Sequence, residues 1–272
     1  MGEVATRVET SAIQLRSARL SFGQRTLWRD LDLDVAPGEF IAVLGPNGSG
    51  KTSLLNVLLG KLALESGSAS VAGVGARVGN PAVGYVPQQK TIDAGVQLRG
   101  TDLVGLGVDG HRWGIGLRGR HERKRKVDTA IAAVGATAFA HKSLEKLSGG
   151  EQQRLRVAQA LVGDPSVLLC DEPLLSLDLA NQALVAELVD KRRREHETAV
   201  LFVTHEINPI LPLVDRILYL VDGAFRIGTP DEVMTSETLS ELYGTEVEVL
   251  RVRGRLVVVG TGDELDALGG KH

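Results

Sequence analysis

The sequence predicts an α/β fold: a doubly wound parallel sheet, an antiparallel β part near the N-terminus, and an inserted helical subdomain. Three observations carry this. Phe40-Ile41-Ala42-Val43-Leu44 is a continuous apolar run that ends in a glycine-rich loop and a leucine-rich segment, the order strand, loop, helix. Two later apolar strands, 167–170 and 199–203, each end in polar residues, Asp171-Glu172 and Thr204-His205. Residues 91–146 differ from both, with helical character, scattered glycine and a basic run.

In chain order, residues 1–12 are polar and loose. From Ile13 to about Val43 the pattern is of short strands, with Ile13 and Leu15, then Leu31, Leu33 and Val35, alternating with polar residues. The leucine-rich stretch from Ser53 to Leu64 reads as a helix. Near the end, Thr229-Pro230-Asp231-Glu232 carries an N-cap threonine, a proline at the first helical position and a glutamate at the third. Alternation from Val247 to Val259, broken at Arg253-Gly254, predicts a terminal hairpin. No internal repeat and no low-complexity linker is visible.

With 272 residues the chain can build an ample core. Hydrophobic residues make up 43% and charged residues 24%, the balance of an ordinary globular protein. A formal net charge of −3 gives no global basic field for nucleic acid. The single cysteine, Cys170, excludes an internal disulfide and suits a reducing compartment. The opening residues lack the apolar segment of a signal peptide, and no stretch approaches the ~20 apolar residues needed to span a bilayer. The expectation is a cytosolic protein that can dock on a membrane without crossing it.

The loop Gly45-Pro46-Asn47-Gly48-Ser49-Gly50-Lys51-Thr52 has the composition of a phosphate cradle. Its glycines let the backbone turn so that successive N–H groups face phosphate oxygens, and the following helix, with Ser53 in its first turn, adds its positive end. Lys51 offers a cation to the terminal phosphates and Thr52 a hydroxyl to Mg²⁺. Asp171 ends an apolar strand, where a carboxylate can hold Mg²⁺ directly or through water. Glu172 beside it is placed to polarise an attacking water. About a hundred residues after the loop comes Leu147-Ser148-Gly149-Gly150-Glu151-Gln152-Gln153-Arg154, at the start of a helix with Leu155, Ala158, Leu161 and Val162 on its inner face.

The phosphate loop and that octapeptide, in this order, resemble the ATPase subunit of an ABC (ATP-binding cassette) transporter over about residues 13–240. The resemblance implies a phosphate-loop (P-loop) NTPase core of RecA-like, ABC ATPase type with an N-terminal antiparallel β subdomain and an inserted α-helical subdomain. It implies one ATPase domain over 13–246: residues 13–90 and 158–225 as catalytic core and β part, and 91–157 as the helical subdomain with the signature. Residues 226–272 then form C-terminal helices and the hairpin. ATP and Mg²⁺ are the implied ligands.

The resemblance also assigns roles. Gln88, in Val83-Gly84-Tyr85-Val86-Pro87-Gln88, matches the glutamine that senses Mg²⁺ and links core to helical subdomain; Gln89 follows it, and Gln88 is the favoured register. Phe22, in Leu20-Ser21-Phe22-Gly23, matches the aromatic that stacks on adenine, a partly buried core residue being the alternative. His205, in Leu201-Phe202-Val203-Thr204-His205-Glu206, matches the switch histidine at the γ-phosphate. Ser148, Gly149 and Gly150 match the signature that closes over the ATP of a partner subunit, which implies a head-to-tail homodimer. Asp178, in Leu175-Ser176-Leu177-Asp178, holds the D-loop position, where Ser-Ala-Leu-Asp is commoner. The family further implies transmembrane permease subunits, an extracytoplasmic substrate-binding protein and a place on the cytoplasmic side of the membrane. The stretches 177–182 and 238–244 look like the zinc/manganese importer group, with iron-chelate importers next; the alternative is a soluble ABC ATPase of cofactor or Fe–S cluster assembly that moves no solute.

Other features have ordinary readings. Arg118, Arg120, Arg123, Lys124, Arg125 and Lys126, and the run 191–194, read as solvated helix faces, with anionic lipid head groups the rival partner for the first. Aromatic residues are only 4% of the chain, which argues against single-stranded nucleic acid. The six histidines show no metal-ligand spacing, so a transition metal would be cargo handled elsewhere.

Overall fold

β1 (Ile13–Phe22) and β2 (Arg25–Val35) pair antiparallel, and their alternation buries Ile13, Leu15, Leu31, Leu33 and Val35 on one face. On the other face Asp34 Oδ1 accepts hydrogen bonds from Ser11 Oγ at 2.9 Å, Gln14 Nε2 at 3.1 Å and Arg16 Nη2 at 2.7 Å. The Arg16 hydrogen bond leads these causes in holding the Asp34 carboxyl down at about 2. The computed structural model describes residues 11–88, 98–109 and 120–260.

After β3 (Phe40–Leu44) and the glycine-rich loop comes α1 (Lys51–Leu58). This helix is shorter than the stretch to Leu64 that the leucines suggest. Gly60 adopts a left-handed φ of 69°, and Lys61 N–H bonds back to Asn56 O at 2.9 Å, closing the helix end. β4 (Ser66–Val71) and β5 (Val74–Gly75) complete a four-stranded antiparallel sheet in the order β2-β1-β4-β5. β6 (Val83–Val86) then enters a second sheet.

α2 (Gly100–Asp109) and α3 (Arg120–Ala133) supply the expected helical character, and α4 (Gly149–Leu161) carries the signature at its start. Gln89 and Arg118 lie outside the described residues. β7 (Val167–Asp171), α5 (Leu179–His196), β8 (Ala199–Val203), β9 (Arg216–Val221) and β10 (Ala224–Gly228) follow. The larger sheet runs β10-β9-β3-β8-β7-β6, parallel throughout except for the β9–β10 hairpin. The chain ends in α6 (Pro230–Val233), α7 (Ser236–Tyr243) and the two-stranded β11 (Val247–Val252) and β12 (Arg255–Gly260), the hairpin predicted from alternation. The divisions expected at 157/158 and 225/226 fall inside α4 and β10.

Strand alternation divides the core in two. Ile41, Val43, Leu169, Leu201 and Leu218 face α1 and the antiparallel sheet. Phe40, Ala42, Leu168, Cys170, Phe202 and Ile217 face α4, α5 and the C-terminal elements, whose Leu239, Val247 and Leu256 join the same cluster. Cys170 is fully buried, which pushes its thiol pKa well up. With both faces covered, these strands read as unbroken apolar runs.

The two basic runs behave differently. On α3, Lys124 pairs with Asp128 at 3.0 Å and Lys126 with Glu122 at 3.3 Å, both exposed i,i+4 pairs. In the run 191–194 Lys191 and Arg194 are exposed as expected, while Arg192 and Arg193 are not part of a solvated face. Arg192 bonds Asp164 at 2.6 Å and Thr198 Oγ1 at 3.0 Å. Arg193 reaches buried Asp190 at 2.8 Å, Asp215 at 3.2 Å and Gly38 O at 3.2 Å. Their side chains are only 11% and 18% exposed, because α5 lays this turn against the sheet.

Candidate nucleotide site

β3 delivers the loop to the carboxyl edge of the sheet. Gly45 has a φ of 139°, and a Cβ there would stand 2.1 Å from Leu220 O, so the loop passes β9 at a distance no side chain permits. Lys51 is the first residue of α1 and is 5% exposed. Its Nζ donates to Gly45 O at 2.6 Å and Pro46 O at 2.9 Å. Burial lowers the Lys51 pKa, while Glu172 and Asp171 work against that shift. Ser49 is buried and its Oγ has no hydrogen-bond partner among the described residues. Asn47, Gly48 and Thr52 are exposed, and Ser53 is half-buried.

Because β3, β8 and β7 are neighbours in the sheet, their ends converge. Thr52 Oγ1 donates to Asp171 Oδ1 at 3.1 Å, uniting the two oxygens expected to hold Mg²⁺. Burial is the leading cause raising the Asp171 pKa, and the Thr52 hydrogen bond pulls the other way. The Tyr85 hydroxyl reaches Asp171 Oδ2 at 3.4 Å, and burial pushes that phenol up to about 12. Sequence reasoning missed Tyr85; the usable signal was that β6 ends beside Gln88 and must lie against another strand of the core.

Glu172 leaves β7 with a left-handed φ of 47°, and its N–H bonds Val203 O at 3.0 Å. This turns its carboxylate toward Gln88 and His205. Gln88 Nε2 donates to Glu172 Oε2 at 2.8 Å, and His205 Nδ1 lies 3.9 Å from Glu172 Oε1. The hydrogen bond Gln88 makes is thus to the carboxylate, rather than to Thr52 or Asp171.

The signature forms a second group. Ser148 caps α4 reciprocally: Oγ accepts Glu151 N–H at 3.3 Å, and Ser148 N–H donates to Glu151 Oε2 at 2.8 Å. A Cβ on Gly150 would lie 2.2 Å from Asn181 Oδ1. Asn181 in turn donates from its backbone to Asp178 Oδ1 and from Nδ2 to Asp178 Oδ2, both at 2.8 Å. Signature and D-loop residues are therefore one packed unit, and Asn181 is the junction that sequence reasoning did not single out. Among the described residues no hydrogen bond or ion pair joins 148–150 to the loop, Asp171, Glu172 or His205. Phe22 is 53% exposed at the end of β1, a free ring rather than a core residue.

A family model for the ABC transporter matches residues 28–175, more than half of the chain. The chain belongs to the ABC transporter family. It is the ATPase subunit of a transporter, and it binds and hydrolyses ATP. This ABC ATPase is similar to a candidate metal-chelate type ABC transporter in an inward-facing conformation, with 25% identity, a TM-score of 0.79, and coverage of 94% of this chain and 100% of that one. A dimeric ATP-binding cassette in a post-hydrolysis state with ADP and phosphate is 26% identical, with a TM-score of 0.66 over 80% of this chain and 98% of that one. CbiO1 from Clostridium perfringens, part of the complex CbiONQ, shares the fold at 22% identity, with a TM-score of 0.72 over 86% and 94%. Among the described residues no helix of the ABC ATPase is long and apolar enough to cross a membrane.

Proposed function

We propose that residues 13–246 form one ATPase domain that works as a head-to-tail homodimer, holding two ATP·Mg²⁺ between phosphate loops and opposing signatures. In this reading it powers uptake of a metal ion or metal chelate through a separate permease, on the cytoplasmic side of the membrane, with an extracytoplasmic binding protein supplying the cargo. The observation that carries the catalytic part is the convergence of Thr52 with Asp171, and of Gln88 and His205 with Glu172, on one sheet edge. The likeness to a candidate metal-chelate type transporter supports the cargo class.

The residues present fit the ligands. The Lys51 ammonium exchanges its loop carbonyls for phosphate oxygens, and Ser49 lends its backbone N–H to the same cradle. The backbone of Gly45, Pro46, Asn47, Gly48 and Gly50 wraps the chain around the same space, and the exposed Phe22 ring offers a face to adenine. Thr52 and Asp171, with Gln88 nearby, present hard oxygen donors suited to Mg²⁺, which when bound offsets charge on the phosphate oxygens. Glu172 orients the attacking water and takes its proton, Gln88 fixes the carboxylate, and His205 reaches the terminal phosphate from the next strand. Ser148, Gly149 and Gly150 at the start of α4 cover the partner's ATP, and Asp178 steadies that unit through Asn181.

The test is a pull-down of tagged Glu172→Gln protein from detergent-solubilised native membranes with ATP·Mg²⁺. A stoichiometric multi-span membrane protein is the expected companion, and that protein's extracytoplasmic partner identifies the cargo. Recovery of soluble partners alone would reject the uptake reading in favour of an assembly ATPase.

A further inference from the structure

The loop that carries His205 is held at both ends, by β3 at its start and by the C-terminal hairpin further on. At its start, Thr204 N–H bonds Val43 O at 3.1 Å, and the Thr204 hydroxyl bonds Glu206 O at 2.9 Å and Glu206 N–H at 3.1 Å. Further on, Ile207 and Ile210 turn inward, into the cluster that contains Leu239, Val247 and Leu256. Between them Asn208 reaches β12. Its Nδ2 donates to Leu256 O at 2.9 Å, and its Oδ1 accepts Leu256 N–H at 2.8 Å. One amide thus pairs with both backbone groups of one strand residue, as a neighbouring strand would.

β12 can offer these groups because it is an edge. Leu256 sits opposite Arg251 and directs its donor and acceptor away from β11. The hairpin is also fixed independently of the loop. Ser240 Oγ bonds Val247 O at 3.1 Å and Val247 N–H at 2.9 Å, and Ser236 Oγ accepts Val249 N–H at 2.9 Å, all from α7. The support is therefore preformed, and the loop is tied to it. His205, three residues before the tie, is 35% exposed and approaches Glu172 without a short hydrogen bond to hold it there.

We propose that Asn208 is a positioning residue for His205, so that the C-terminal hairpin is part of the support that keeps the histidine at Glu172. The inference rests on the reading of Glu172 and His205 as the pair that orients water. It gives the hairpin, which lies beyond the matched residues 28–175, a task in hydrolysis. Without the amide the loop keeps its buried isoleucines but loses its tie to β12, and His205 spends less time facing Glu172. The phosphate loop and Phe22 are untouched, so nucleotide binding is spared.

The experiment compares ATPase kinetics of full-length wild type, Asn208→Ala and Asn208→Asp, with melting temperature and hydrogen exchange of segments 204–210 and 247–260. For Asn208→Ala, kcat falls about tenfold, as a modest misplacement of a reacting group does. KM stays within about twofold. Exchange in 204–210 quickens. Asn208→Asp keeps the acceptor for Leu256 N–H and loses the donor, so it lies between. A normal kcat with faster exchange only in 247–260 overturns the proposal, since the amide would then merely hold the hairpin down. So does a kcat loss that tracks the fraction of protein able to bind ATP. If Asn208→Ala does not fold, Asn208→Asp decides by the same criteria. Glu172→Gln and His205→Ala separate the two levels: if they hydrolyse ATP normally the catalytic reading fails, and if they do not while Asn208→Ala does, this inference alone fails.

Discussion

Gln88 donates its side-chain amide to the Glu172 carboxylate at 2.8 Å, across 84 residues of sequence, and so links the end of β6 to the end of β7. The amide leaves one carboxylate oxygen free, and that oxygen is the one nearer His205. Replacing Gln88 by alanine removes this restraint. The expected result is a kcat lowered by about tenfold with ATP affinity nearly unchanged, read from steady-state kinetics and nucleotide titration.

Phe22 tests the adenine contact separately from folding. A ring that is 53% exposed contributes little to the core, so Phe22→Ala should leave the melting temperature almost unchanged. Losing a stacking face should weaken ATP binding by about tenfold, roughly 1.4 kcal/mol. Equal affinity for ATP and for a triphosphate lacking the base, in wild type, would remove the ring from the site.

The packing of Gly150 on Asn181 predicts a non-additive pair. Gly150→Ala puts a Cβ 2.2 Å from Asn181 Oδ1, so the Asn181 amide must swing off Asp178 Oδ2, at a cost of about 1 kcal/mol. In an Asn181→Ala background that obstruction is gone, and the same change should cost distinctly less. A double-mutant cycle by urea unfolding measures the coupling.

Arg193 is the member of the second basic run with the most to lose. Its removal leaves Asp190, 5% exposed, short of one guanidinium, takes the arginine from Gly38 O, and leaves Asp215 Oδ2 with the Phe40 N–H. Breaking a largely buried pair from one side should cost about 3 kcal/mol in denaturant unfolding. Arg194, which also bonds Asp190 at 2.9 Å, is 64% exposed, and its alanine variant should cost under about 1 kcal/mol.

Asp34 supplies a pH test. Its carboxyl titrates at about 2 in the fold against an ordinary 3.8. A depressed carboxylate adds stability that is complete above the unfolded value and is lost as pH falls through the folded one. Wild type should therefore exceed Asp34→Asn in melting temperature above pH 4, with the gap closing towards pH 2. The Arg16–Asp34 side chains are 45% and 50% exposed, so solvent screening keeps the gap small.

The edge that gathers the candidate catalytic groups was largely legible in the sequence because each strand names its own ending: four or five apolar residues, then a polar group. Phe40–Leu44, 167–171 and 199–203 are buried on both faces, as strands of a parallel sheet covered twice are. Tyr85 and Asn181 were hidden because their meaning depends on which elements are neighbours, not on local pattern. The Arg192–Arg193 turn looked solvated for the same reason: its partners Asp164, Asp215 and Gly38 are far away in the chain. Asn208 looked like an ordinary loop residue until the hairpin that receives it was in place. Gly60, by contrast, was a local stop signal that the leucines on either side obscured.

Cys170, sealed inside β7, has a practical consequence. The chain's one thiol is fully buried and resistant to ionisation, so a thiol-reactive dye has nothing on the native surface to attack. A cysteine introduced at an exposed position outside the nucleotide site, such as Ser68 on β4, would then be labelled alone, without first stripping the background. Donor and acceptor dyes placed that way on two copies would turn the opening and closing of an assembly into a change in colour.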